Sequence, residues 1–548
     1  MNFVQLGNKR DGVRLTGAVY TPPTVAGATT AFVSTMLPQR RLRLLEPSVG
    51  DGAFLDAMIR SLGGNHDYTL IDIDRAVLRE LKHRNRLPLS TSQYIAADFV
   101  SFASRAIARK NEKYDLIIGN PPFIRKHNFS ECFKLELQTL AGLIDYPLRD
   151  LKNSWTAFLL ASERMLSSDG VIAFVLPYEL LTVGYGQAAL REVLGAFKRV
   201  DIFVSDEKAF PDIDQDAVVF VARKKTGAAS GLFINRVVAL DDYSTVREFA
   251  LDFDKANGDG LALSAFLLSG SAMKLLRRLE KRSNKLGNYA TSAPGIVSAA
   301  NEFFILRQQD AASLGLQDFC LPILKKGSFA SASPVFTSAS FASIEKDEPS
   351  QLIRLTEDVV RSSLAAQAYV QLGEAAGYQH RYKCRNRKNW YEVPIVPKEA
   401  AFFFKRSHNF PRLCINEGNT YLTDTAYGVR MREGYSARGL CYSFYNSLTM
   451  LFAETNGRFY GGGVLELSPR EFRGLPLVYH EPSDDEFLEF LAAHDRAQGD
   501  AEIILDFGDA WLAKKYGLVQ NDLEDLRLSW RAVRSHRLRH SGRQHTSP

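Results

Sequence analysis

Cysteine is scarce in this 548-residue chain, with five in all (Cys132, Cys320, Cys384, Cys414 and Cys441), an odd number and widely scattered. That excludes a disulfide scaffold, a zinc knuckle and a redox dithiol, and predicts reduced, buried thiols. The ten histidines are equally dispersed, so no metal site is expected. No stretch approaches the roughly 18 consecutive apolar residues that a membrane-spanning helix needs. Residues 1–10 lack the apolar centre of a signal peptide, so the expected location is the cytoplasm, away from membranes. No internal repeat is present. What remains is ordinary: 45% hydrophobic, 24% charged and 11% aromatic residues in 61.3 kDa. This is a globular composition, long enough for two to four domains at roughly 150 residues each.

Charge is uneven. Residues 1–222 hold 26 Lys+Arg against 25 Asp+Glu, and residues 223–548 hold 42 against 37. After Asp525 there is no acid but six arginines: Arg527, Arg531, Arg534, Arg537, Arg539 and Arg543. A basic surface attracts polyanions, of which nucleic acid is the commonest in cytoplasm. A solvated, frayed tail is the alternative reading.

The first ~220 residues alternate short apolar runs with helical stretches, which predicts an α/β domain. Strand candidates are 43–46, 68–72, 114–118, 171–175, 200–204 and 217–221. Apolar on both faces and spaced by helices, they predict a mainly parallel sheet covered on both sides. The run 223–231, rich in Lys, Gly, Ala and Ser, reads as a linker. Beyond it the pattern turns irregular, with helices expected near 350–372, 483–497 and 501–516. The expected organisation is a catalytic domain over 1–222, a linker over 223–231 and a mixed α+β domain with a helical C-terminus over 232–548.

Three motifs carry chemistry. The first is Glu46-Pro47-Ser48-Val49-Gly50-Asp51-Gly52, a strand running into a glycine turn and a helix. Glycine lets the backbone approach a ligand closely, and a helix N-terminus favours a carboxylate. In the second, Asp72 ends the next strand, where a carboxylate can take both ribose hydroxyls. Asp98-Phe99 ends the one after, where an acid can accept from an exocyclic amine while the ring packs on a nucleoside. Either acid alone would more often be a helix cap. The third is Asn120-Pro121-Pro122-Phe123 after an apolar strand. The prolines stiffen the loop, and the Asn120 side chain and Pro121 backbone offer two carbonyl acceptors. Converging acceptors suit an amine that must leave conjugation with its ring, and Phe123 offers a face for a purine.

These motifs, with Thr21 in Gly17-Ala18-Val19-Tyr20-Thr21-Pro22-Pro23-Thr24-Val25 upstream, resemble the γ-class S-adenosylmethionine-dependent methyltransferases that modify adenine N6 in DNA. The resemblance implies a Rossmann-like methyltransferase domain followed by a target recognition domain. Its later segments are 295–304, 385–391 and 457–466. It departs at Val49, where the family often has Phe or Cys. By the same resemblance Thr21, Glu46, Ser48, Gly50 and Gly52 hold the methionine end of S-adenosylmethionine, and Asp72 the ribose. Asp98, Phe99 and Phe158 then hold the cofactor adenine. Asn120, Pro121 and Phe123 are catalytic, and Phe210 lines the target-base pocket; a lone Phe at 158 or 210 would more often be core. The implied partners are double-stranded DNA and a cognate restriction endonuclease, with no metal.

The segment His380–Tyr391 has five Lys/Arg and no acid. Arg385, Arg387 and Lys388 are therefore expected to contact DNA phosphates; the alternative reading is a solvated basic loop that Trp390 and Tyr391 anchor to the core. An adenine inside a duplex must be flipped out at a few kcal/mol, and stacking on an aromatic ring returns about 1–3 kcal/mol. Two other readings stand beside this one: methylation of RNA or of a protein glutamine, and an inactive DNA-binding subunit.

Overall fold

The computed structural model describes residues 20–85, 87–88, 90–110, 112–208, 210, 216–227, 229–251, 265–330, 333–460 and 462–539. Residues 17–19 of the upstream motif, Ala209 and Pro211 beside Phe210, Gly461 and Arg543 lie outside the described residues. The chain divides into two compact units. The first runs to Phe266 and also takes in Phe459–Gly463 and the chain from Leu538 on; the second holds Leu267–Arg458 and Val464–Arg537.

The first unit is a nine-stranded sheet in the order β3-β2-β1-β4-β5-β7-β6-β8-β9. Its strands are β1 Arg43–Glu46, β2 Asp67–Asp72, β3 Ser92–Ala96, β4 Tyr114–Gly119, β5 Leu166–Pro177, β6 Arg199–Ser205, β7 Ala217–Arg223, β8 Gly231–Val237 and β9 Thr245–Leu251. The first five pair in parallel. The antiparallel members are β7, against both β5 and β6, and β9, against β8.

Alternation explains the layering. Leu44, Leu70, Leu116, Ile118, Ala173, Val175, Val219 and Val221 join one buried cluster with Val25, Ala26, Phe54 and Met58 from helices. The residues between them, Leu45, Ile71, Ile117, Ile172, Phe174 and Phe220, are as deeply buried. Both faces are therefore covered, and parallel pairing is the expected consequence. The helices that matter for the site are α1 Pro23–Ser34, α2 Ala53–Leu62, α3 Arg75–Asn85, α4 Phe99–Arg109, α5 Glu131–Ile144, α6 Ser154–Arg164, α7 Glu179–Thr182 and α8 Gly184–Leu194.

The expected domain boundary at 222 needs correction. β8 pairs in parallel with β6 over seven positions, from Arg199↔Gly231 to Ser205↔Val237, and buries Leu232, Phe233, Ile234 and Asn235. The polar run between β7 and β8 is a turn within the sheet. Its composition marks exposure, which a turn and a linker share.

The second unit is mixed, as the sequence suggests. One four-stranded sheet joins Ala290–Pro294, Ala426–Met431, Ala401–Phe404 and Leu413–Ile415, all antiparallel. Another joins Ile305–Leu306, Gln351–Ile353, Cys320–Leu324 and Tyr421–Leu422. The helix expected near 350–372 opens instead with the strand Gln351–Ile353 and continues as two helices, Glu357–Ser362 and Leu364–Ala375. Three helices close the unit: Asp484–Ala497, Ala501–Tyr516 and Gln520–Leu538.

The last helix overturns the reading of its arginines as a free basic tail. Arg527 is paired with Asp509 at 2.6 Å and Glu502 at 2.7 Å, and Arg531 with Glu502 at 2.8 Å. Arg537 and Glu454 form a 2.7 Å pair with both side chains fully buried. Arg534 donates to the Asn409 carbonyl at 3.0 Å. In the first unit Arg539 donates to the Ser205 carbonyl at 3.0 Å and pairs with Asp216. Counting charge along the sequence cannot see acids lying 18 to 323 residues upstream.

Candidate active site

The site is built at the C-terminal ends of β1, β2, β3 and β4, where the chain leaves four adjacent parallel strands for the helices. β1 delivers Glu46, which is 1% exposed. The turn after it is wound by hydrogen bonds from Val49 N–H to the Ile71 carbonyl (3.0 Å) and from Gly52 N–H to the Val49 carbonyl (2.9 Å). Gly50 and Gly52 have φ of +53° and +83°, the left-handed region that favours glycine. At Gly52 a Cβ would also lie 2.5 Å from Leu81 Cδ2 of α3. At Gly50 it would face the ring of Tyr20 at 3.6 Å, so that ring, itself 61% exposed, lies over the glycine turn. Thr21 beside it is buried.

Two acids rim this turn. Asp72 accepts from Gly50 N–H and Asp74 N–H, both at 2.9 Å. Asp98 caps α4 through Oδ1, accepting from Val100 N–H (2.8 Å) and Ser101 N–H (3.2 Å). Burial raises its pKa, and those two N–H groups pull it partly back. Asp98 thus does the helix capping that such residues do by default, whereas Asp72 holds the turns on either side of it. Phe99 and Phe158 pack behind them with ring centroids 4.7 Å apart.

Glu46 has the most unusual environment. Its Oε2 is buried and has no hydrogen-bond partner among the described residues. Burial above all, then the negative charges of Asp51, Asp56 and Asp72, pushes its carboxyl well above the usual range. A carboxylate in that position lacks a counter-ion and suits an ammonium group.

β4, buried throughout, delivers the loop. Ser48 Oγ donates to the Asn120 carbonyl at 3.0 Å, which fastens the glycine turn to the loop. Asn120, Pro122 and Phe123 are half-buried and Pro121 is buried. Among the described residues no donor reaches the Pro121 carbonyl. Phe210 stands apart from these hydrogen bonds, 5% exposed in the core cluster that also holds Val49 and Ala217.

Sequence reasoning missed Ile73. It is 73% exposed directly after Asp72, an apolar face left in the open at the rim. An isoleucine just beyond a strand-end acid was a readable signal. It also missed Ser154, whose hydroxyl meets the loop that follows Asn120 and whose own sequence context gives no hint of that.

A cavity of about 570 Å³ is lined by Phe32, Phe203, Tyr243, Arg199, Arg223 and Asp201, among others. Arg199 begins β6 and Arg223 ends the antiparallel β7, so it opens at the other end of the sheet from Asn120. Two guanidinium groups there face Asp201 and Glu248 at 2.7–2.9 Å, a self-neutralised group with no part in the site.

In the second unit the expected DNA-facing residues separate. Arg387 donates to the Val297 carbonyl at 3.0 Å and the Ser298 carbonyl at 2.8 Å, and burial lowers its pKa. It ties segment 295–304 to segment 385–391. That geometry makes it a structural residue, contrary to the expectation of a phosphate contact. Lys388 pairs with Glu357 at 3.2 Å. Arg385 is exposed, its guanidinium 5.3 Å from the Tyr382 ring. Trp390 and Tyr391 pack on the core around Phe303 and Tyr369, as anchors should.

Residues 65–210 match the Eco57I restriction-modification methylase family, and residues 262–512 match the C-terminal domain of the type II methyltransferase M.Eco57I. The type II methyltransferase M.AccI of Acinetobacter calcoaceticus is 23% identical over 534 residues, covering 91% of this chain and 93% of that one. M.XamI of Xanthomonas campestris pv. amaranthicola is 22% identical, covering 84% of each chain. Among solved structures, the type IIL restriction-modification enzyme MmeI in complex with DNA superposes with a TM-score of 0.55 at 11% identity, covering 96% of this chain and 73% of that one. Two models of Eco57I-type restriction-modification methyltransferases thus match successive parts of the chain, over residues 65–210 and 262–512, and with its likeness to type II methyltransferases over most of its length they support a restriction-modification DNA methyltransferase.

Proposed function

We propose that the protein transfers the methyl group of S-adenosylmethionine to N6 of a flipped-out adenine in a specific DNA sequence, as the modification enzyme of a restriction-modification system. The observation that carries this reading is the hydrogen bond from Ser48 to the Asn120 carbonyl. It sets the cofactor turn against a loop that offers carbonyl acceptors and one aromatic face.

The residues fit the cofactor. The buried, partnerless oxygen of Glu46 suits the methionine α-ammonium, with Thr21, Ser48, Gly50 and Gly52 shaping that end. Asp72 suits the ribose diol. Asp98, through the oxygen that does not cap α4, suits the adenine amine, with Phe99, Phe158 and Ile73 as apolar walls. When bound, S-adenosylmethionine supplies a methyl group already activated on sulfur. Asn120 Oδ1 and the Pro121 carbonyl accept from the target amine and draw its lone pair out of the ring. Phe123 stacks on the flipped base, offsetting about 1–3 kcal/mol of what flipping costs, and Phe210 lines its pocket. The protein's part is proximity and polarisation.

Tritium transfer from labelled cofactor to unmethylated duplex DNA, RNA and protein, each offered separately, tests the proposal. Label in DNA recovered as N6-methyladenine is the expected outcome. Label in RNA or in protein glutamine, or in no acceptor while the cofactor binds, overturns it. Single-molecule sequencing of DNA from expressing cells would give the recognition site.

A further inference from the structure

Phe123 sits in a loop that cannot fasten itself. The peptide bonds into Pro121 and Pro122 carry no N–H, so the donors that would close an ordinary turn are missing. On either side of Phe123 a side chain from α6 supplies the fastening. Ser154, the first residue of that helix, is fully buried. Its hydroxyl accepts from Ile124 N–H at 2.9 Å and donates to the Pro122 carbonyl. Its own N–H donates to the Ile124 carbonyl at 2.9 Å. The residues on either side of Phe123 are therefore held by one serine.

The exit of the loop is held as well. Arg125 forms a β-bridge with Asn153, and Lys126 N–H donates to the Lys152 carbonyl at 2.9 Å. Arg125 also pairs with Glu179 of α7 at 3.0 Å, and Glu179 accepts from the Tyr185 hydroxyl at 2.5 Å. One turn along α6 from Ser154 lies Phe158, packed on Phe99. The same helix thus grips the loop at one end and lines the nucleoside wall at the other.

We propose that Ser154 is a positioning residue for methyl transfer: its hydroxyl sets the attitude of the Phe123 ring and so the register of the flipped base against the methyl donor. Glu179 supports it through Arg125. This rests on the proposed function for its kinetic consequence, whereas the clasp itself can be tested without substrate.

Ser154→Ala removes both side-chain bonds while keeping the helix. Misplacement of a reacting group by about 1 Å costs on the order of 10²-fold, so kcat per active site should fall by about that factor. Affinity for S-adenosylmethionine by calorimetry and KM for DNA should stay within about twofold. Amide exchange at Ile124 in the substrate-free protein should rise. Glu179→Gln, a variant that leaves the helix start untouched, should give a smaller loss of the same kind, in kcat and not in KM. An unchanged kcat per active site in either folded variant overturns the proposal, as does unchanged exchange at Ile124 in Ser154→Ala. A wild-type protein that transfers no methyl to DNA defeats the functional reading, and the exchange measurement then still decides on the clasp. A merely structural serine would lower the melting temperature and the active fraction together and leave kcat per active site intact.

Discussion

The Gly50 N–H and the Asp72 carboxylate meet at 2.9 Å, so the strand-end acid is the template on which the glycine turn is wound. Asp72→Ala should therefore disturb the proposed cofactor pocket twice, losing the proposed ribose contact and loosening Gly50. The dissociation constant for S-adenosylmethionine should rise at least about tenfold, since a hydrogen bond to a charged group contributes roughly 1.5–3 kcal/mol. Asp72→Asn, which keeps an acceptor for Gly50, should recover part of it. DNA binding without cofactor should not change. Equal losses in both assays would mark Asp72 as a general scaffold residue.

On the proposed function, Glu46 should link cofactor binding to pH. Its carboxyl is raised in the free pocket, so near the raised value it is partly protonated, and pairing with an ammonium requires the ionised form. Binding of S-adenosylmethionine should release a proton, and affinity should climb as pH rises through the Glu46 pKa and then level off. Calorimetry in two buffers of different ionisation enthalpy measures that release directly. Glu46→Gln should abolish it. A buffer-independent binding heat in the wild type would refute the linkage.

Asn120→Ala removes one of the two proposed amine acceptors and should cut turnover by orders of magnitude while sparing cofactor affinity. Phe123→Ala should weaken the flipped state, whereas Phe123→Trp should retain activity because stacking needs only a π-face. If the Ala and Trp variants turned over at the same rate, the stacking role would be wrong.

Arg385 and Arg387 should behave oppositely. Arg385→Ala should weaken DNA binding and flatten its salt dependence by a slope of about one, with melting unchanged. Arg387→Ala strands the Val297 and Ser298 carbonyls and should lower the melting temperature by on the order of 5 °C. A flattened salt slope in Arg387→Ala without any loss of stability would reverse the assignment.

His494 should make the second unit acid-labile. It is 5% exposed against Phe490 and Tyr445, and burial depresses its pKa from 6.5 to about 4. A histidine with a lowered folded pKa contributes stability that is fully present above its unfolded pKa. That contribution is lost as pH falls from about 6.5 towards 4, at most roughly 3 kcal/mol in all. Melting temperatures followed from pH 7.5 down to 4.5 should drop more steeply in the wild type than in His494→Phe. Parallel curves would remove His494 from the account.

The sequence announced most of this site because its signals are local. Leu44-Leu45-Glu46 and Leu116-Ile117-Ile118 read as strands from their own apolarity, and the glycine turn and Asn-Pro-Pro-Phe loop follow within a few residues. What it hid depends on partners far along the chain. β8 was obscured by the polar turn before it, since its pairing with β6 is invisible from residues 223–231. Arg387 looked like a phosphate ligand because its carbonyl partners lie 90 residues upstream. Ser154 looked like the start of a helix and nothing more.

The helix Gln520–Leu538 has a consequence for the order of events in making the protein. Glu454 is fully buried and Asp509 nearly so, and their cations, Arg537 and Arg527, sit on that helix. Until residues 520–537 have emerged from the ribosome, both acids lack counter-ions, and burying them uncompensated would cost several kcal/mol. Closure of the second unit around Glu454 and Asp509 is therefore favoured only once that helix has been translated.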